Sequence, residues 1–92
     1  MPYIPREDRA VYDDDINSLG SSLDCLSNDQ LAGHLNYIFF RLAGSMCTGD
    51  DMSYARAAVV SSALSEAQAE FRRRVMAPYE NEKIKENGDI EF

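Results

Sequence analysis

Residues 27–47, SNDQLAGHLNYIFFRLAGSMC, decide the fold. Ser27 followed three residues later by Gln30 is a capping-box pattern, in which each side chain satisfies a backbone N–H of the other's residue. Leu31, Leu35, Ile38, Leu42 and Met46 then recur at helical spacing, and Phe39 widens the stripe. That period predicts an amphipathic helix with one face turned to a core. Thr48-Gly49-Asp50-Asp51 reads as the turn that ends it.

The same period extends outward in both directions. Upstream, Tyr12, Ile16, Leu19, Leu23 and Leu26 step by four, three, four and three, which predicts a helix over about 12–26. Asp13, Asp14 and Asp15 fall in its first turns, where the helix dipole favours negative charge. Consecutive helical residues point about 100° apart, so these three cannot converge on one metal ion. Downstream, Ala57, Val60, Leu64, Ala67, Phe71 and Val75 mark a helix from about Ser53 to Met76, rich in alanine and serine. Small side chains permit close helix approach, which suggests a central position or a subunit contact. Pro78 would clash with the carbonyl of Arg74 in a regular helix, so a kink or break is expected there. Proline also opens helices, and Tyr79 to Asn87 reads as a short polar helix capped by Gly88. The expected fold is all-α: one domain over residues 1–92, a small bundle of three main helices with a Pro-kinked C-terminal helical extension. The extended start, Pro2-Tyr3-Ile4-Pro5, and the alternating end, Asp89-Ile90-Glu91-Phe92, either pair as a minimal β ribbon or cover the bundle.

Composition narrows the function classes. Sixteen acidic against nine basic residues give a net charge of −7. Such a field disfavours non-specific nucleic-acid binding and anionic membrane surfaces. No apolar run approaches the ~18 residues of a transmembrane helix, and the opening residues lack the apolar core of a signal peptide. A cytoplasmic protein is expected, with Cys25 and Cys47 as free thiols in packed positions. One histidine, His34, and no C-x-x-C pair leave no zinc site. A 92-residue chain has little core to hold it together, so a homo-oligomer is expected.

The opening Met1-Pro2-Tyr3-Ile4 with Glu7-Asp8-Arg9, the segment Gly33-His34-Leu35-Asn36-Tyr37-Ile38 and the closing run from Phe71 to Asp89 resemble a family of short bacterial and bacteriophage proteins. The family is a domain of unknown function. The resemblance implies a phage or prophage setting, where small proteins often block or sequester a host component, and implies no reaction and no cofactor.

Positive charge in this acidic chain concentrates before Pro78. Asn36, Tyr37, Arg41, Arg73, Arg74, Tyr79 and Lys83 are the candidate ligand-binding residues. Guanidinium groups pair with phosphate or carboxylate, and tyrosine faces stack on rings. The reading is a non-enzymatic binding protein for a small anionic, nucleotide-like ligand. The alternative is an acidic protein-interaction module that inhibits or adapts a host protein. Each feature also has a structural explanation. Arg72, Arg73 and Arg74 complement a helix C-terminus and can pair with Glu66, Glu70, Glu80 or Glu82, while Asn36 could bond the backbone freed by Pro78. Glu66 and Glu70, four apart, are the one carboxylate pair that acid–base work could use, and no nucleophile–base order or phosphate-binding glycine loop is present.

Overall fold

The computed structural model describes the backbone of residues 1–92 and every side chain but that of Asp51. Helix α1 spans Arg6–Leu23, α2 Asn28–Ser45, α3 Tyr54–Phe71 and α4 Ala77–Asn87. A 3₁₀ turn at Gly49–Asp51 joins α2 to α3, with Gly49 at φ +60°. The fold is all-α, and no strand occurs among the described residues. The terminal ribbon therefore does not form. Met1–Pro5 runs without regular structure onto α3, and Gly88, at φ +86°, caps α4, after which the last residues have no regular structure.

Local signals explain most boundaries. The capping box of α2 is complete: Ser27 Oγ accepts from Gln30 N–H at 3.3 Å, and Gln30 Oε1 accepts from Ser27 N–H at 3.1 Å. Ser53 caps α3 by accepting from Arg56 N–H at 3.0 Å. Helix α1 begins six residues before the first apolar position of its stripe. The Pro5 carbonyl accepts from Asp8 and Arg9 N–H, and Glu7 and Asp8 lie in the first turn, where the dipole favours them. A polar first turn carries no hydrophobic period, so the apolar spacing alone places this start too late.

Pro78 neither breaks the chain nor stands at an isolated helix start. Arg72–Met76 form a π turn, in which Ala77 N–H bonds the Arg72 carbonyl five residues back. Helical structure thus runs unbroken from Tyr54 to Asn87, 34 residues and roughly 50 Å at ~1.5 Å per residue. The wider π turn lodges one extra residue just before the ring that an α-turn would reject.

Packing between the helices is sparse. Most half-buried residues lie beside the two connections, Gly20, Leu23, Leu26, Leu31 and Leu35 around the first and Ala43, Cys47, Ala57 and Val60 around the second; Ile38 in mid-α2, with Arg9, Glu70 and Ala77, lies apart from them. Away from these corners the stripes open to solvent. Exposure along α1 rises from half-buried Leu23 to 61% at Ile16, and along α3 from half-buried Val60 to 56% at Phe71. None of the described residues is buried. The shared seam expected from the periodicity is present in the pattern but only partly covered within one chain. Cys25 is exposed rather than packed; Cys47 is half-buried, and both are free thiols.

Candidate functional site

The N-terminal segment meets the C-terminal half of α3 through polar contacts. The Met1 ammonium lies 2.6 Å from Glu66 Oε2. Tyr3 Oη donates to Glu70 Oε1 at 3.1 Å and accepts from Arg74 Nη1 at 2.9 Å. The Arg74 guanidinium also lies over the Tyr3 ring, 5.7 Å from its centroid. Arg73 Nε donates to the same Glu70 oxygen at 2.8 Å, and its Nη2 completes the ion pair. Glu70 is thus a hub for Arg73, Tyr3 and, through Tyr3, Arg74.

The charges follow from this geometry. The Met1 ammonium holds Glu66 below the usual carboxylate range. The hydrogen bond from Arg73, with a further one from Tyr3, does the same for Glu70 against a partial desolvation that pushes the other way. Both carboxylates are accordingly held ionised, each by its own cation. They form no shared acid–base pair, and no group of three potential metal ligands occurs among the described residues.

Six of the seven candidate residues fall into three local clusters, and Asn36 stands apart from all of them. Tyr37 and Arg41 pair along α2, with Arg41 Nη1 donating to Tyr37 Oη at 2.7 Å and the guanidinium 5.7 Å from the ring centroid. Tyr79 and Lys83 pair along α4, with the ammonium 5.5 Å from the ring. Arg73 and Arg74 belong to the Glu70–Tyr3 cluster at the π turn. No hydrogen bond or ion pair among the described residues joins one cluster to another. Asn36 is exposed on α2 and makes no side-chain hydrogen bond among the described residues, so it does not satisfy the backbone near Pro78. His34 is exposed on the same helix.

Two surface concavities accompany these clusters. One, of about 550 Å³, lies between the N-terminal segment and α3, with Ala58, Val59, Ala63 and Ala67 on its apolar side and Met1 and Glu66 at its edge. The other, of about 350 Å³, is bounded by Arg72, Arg73, Met76, Ala77 and Glu80. Both are open to solvent.

Sequence reasoning passed over Tyr3 as a site residue. Its signal was available: through Arg74, Tyr3 joins two of the three segments that carry the family resemblance, the opening Met1–Ile4 and the closing run from Phe71.

A family model for a domain of unknown function (DUF6899) matches residues 1–90. No curated protein and no solved structure matches the chain. No helix among the described residues is long and apolar enough to cross a membrane.

Proposed function

Because the chain belongs to the DUF6899 family along nearly its whole length, a family that brings no reaction with it, we propose from the geometry alone that this is a protein-interaction module acting through the apolar faces of its helices. The observation that carries this reading is the surface. One chain exposes 8261 Å². A globular monomer of 10.3 kDa exposes about 5,400 Å². Folding this chain by itself therefore buries roughly 45% of the unfolded surface, where about 64% is usual at this size. Its radius of gyration is 17.1 Å, against about 12 Å for a compact chain of this length. Large exposed apolar surface of this kind marks a binding face.

The remaining chemistry fits binding better than catalysis. Glu66 and Glu70 are ionised and paired, which suits them to holding the N-terminal segment and not to donating protons. The acidic residues of α1 would favour a basic rim on the partner.

The test is to ask whether the chain covers its own apolar faces. On this reading the purified protein either protects Tyr12, Tyr37 and Phe40 from carbene labelling inside an assembly, or binds a hydrophobic dye strongly as a lone chain. A compact monomer, with a radius of gyration near 12 Å and no dye binding, would refute the reading.

A second reading, a small anionic ligand such as a nucleotide, draws support from the π turn. Arg72 and Arg73 border one concavity together, and Arg72 makes no ion pair among the described residues. A thermal-shift series with nucleotides and inorganic phosphate tests it; binding at 100 times Kd stabilises by about 2.7 kcal/mol. Absence of any shift at millimolar ligand removes this reading.

A further inference from the structure

Resting on the interaction reading above, we infer that the partner covering the apolar faces is a second copy of this chain, so that the folded unit is a homo-oligomer whose smallest closed form is a two-fold pair. Four observations point to a copy.

The first is area. The surface in excess of a compact monomer, about 2,900 Å² per chain, would make an interface of roughly 5,800 Å² in a pair. Obligate homodimers bury from 2,000 to above 5,000 Å², whereas a standard contact between separately folded proteins buries about 1,600 Å². An excess of this size is the deficit of an unfinished core, and a separately folded partner at a standard contact would leave most of it open.

The second is length. The helical run from Tyr54 to Asn87 is about 50 Å long, and the molecule extends 54 Å along its longest axis. Helices α1 and α2, of 18 residues each, reach about 27 Å. Half-buried Ala57 and Val60 lie at the α2–α3 corner, whereas in the other half of the long helix Leu64, Phe71 and Val75 are 46, 56 and 53% exposed, although Met1 and Tyr3 of the N-terminal segment bond to Glu66, Glu70 and Arg74 there. Two copies running antiparallel would let the short helices of each cover the half the other leaves bare.

The third is the disposition of apolar residues on α2. Phe40 lies nine residues after Leu31, about 180° around the helix from it, and is 79% exposed. Helix α2 therefore has an apolar seam toward its own chain and an aromatic residue on the opposite side. A helix apolar on both sides is one packed on both sides. Beside the N-terminal segment, the small side chains of Ala58, Ala63 and Ala67 line an open concavity on α3, and small residues of this kind permit close helix approach.

The fourth is charge. Asp13, Asp14 and Asp15 of α1 form no ion pair among the described residues, and neither does Arg72. One copy thus offers the other both an acidic run and an unpaired guanidinium, charges of opposite sign of the kind an isologous interface can pair.

The experiment is the solution mass of the wild-type 92-residue chain by light scattering and sedimentation, from 5 to 500 µM, with circular dichroism to confirm helix. The expected result is a mass near 21 kDa or a higher whole multiple of the chain. Phe40→Asp and Val59→Asp should each weaken association about thirty-fold or more, as interface hot spots do. A helical monomer across the range that binds hydrophobic dye overturns the second copy while leaving the interaction reading standing. A compact monomer without dye binding overturns both. Because the wild-type mass decides the matter, the outcome does not depend on either variant folding.

Discussion

Replacing both members of the α2 capping box, Ser27→Ala with Gln30→Ala, isolates what a helix end contributes in a protein with so little internal packing. The native pair satisfies two backbone donors, Gln30 N–H at 3.3 Å and Ser27 N–H at 3.1 Å. Loss of a serine cap destabilises by about 1 kcal/mol. Unfolding entropy near 60 °C is about 2.1 cal/mol/K per residue, or roughly 0.19 kcal/mol/K for this chain, which converts the loss into a fall in Tm of about 5 °C. In a pair the loss and the entropy both double, so the same 5 °C is expected whatever the copy number. The assay is a thermal melt followed at 222 nm at one fixed protein concentration. Ser22→Ala is the matched control: its Oγ donates to the Ser18 carbonyl within α1 at 3.4 Å, and alanine is the better helix former there, so its Tm should hold or rise. A double variant melting within 1 °C of the wild type would show that the cap carries no weight and that the α2 boundary is set by something else.

Further outcomes follow from other features. If unfolding is coupled to dissociation of a pair, with an enthalpy near 130 kcal/mol from about 0.7 kcal/mol per residue, each tenfold dilution should lower Tm by roughly 4 °C in calorimetry; a Tm constant from 1 to 100 µM contradicts a pair. Deleting Val75 should draw the π turn into an α-turn, bring the Pro78 ring against a carbonyl, and destabilise by about 3 kcal/mol; adding Pro78→Ala to the deletion should restore most of it, as read by denaturant titration. Acidification should free the N-terminal segment. The Glu66 and Glu70 pKa values are depressed, so their contribution is present above the ordinary carboxylate range and is lost as pH falls through the lowered values. The Tyr3 ring resonances should move toward their unfolded positions below about pH 4, and resonances unchanged down to pH 2 would contradict the contact. Tyr3→Phe should cause part of the same loosening at neutral pH.

What was legible in the sequence was local. The α2 boundaries, its capping box, the Ser53 start of α3 and the Gly88 stop of α4 each depend on side chains within a few residues of one another, and each is where the spacing placed it. The Tyr79–Lys83 stack is equally local, four residues along one helix. The start of α1 was not legible from periodicity because its first turn is charged and exposed. At Pro78 the sequence announced that a regular hydrogen bond must be lost, without saying that the chain would answer with a five-residue turn. The Tyr3–Glu70–Arg74 contact spans about seventy positions and depends on how the first segment lies on α3. Of the candidate residues, Tyr37 with Arg41 and Tyr79 with Lys83 stack as neighbours along one helix, but convergence of all seven on one pocket requires the helices to close on each other, which they do not do within one chain.

The π turn also resets rotational phase. One additional residue advances everything after it by about 100°, so the azimuth of Tyr79, Lys83 and Ile84 on α4 is not a continuation of the line drawn by Leu64 and Phe71. The rod between Tyr54 and Asn87 behaves like a shaft with two keyways cut at different angles. Whatever engages the first half cannot slide along to engage the second, which fixes the axial position of anything docked there and makes insertion or loss of a single residue at the turn equivalent to re-indexing the whole C-terminal arm.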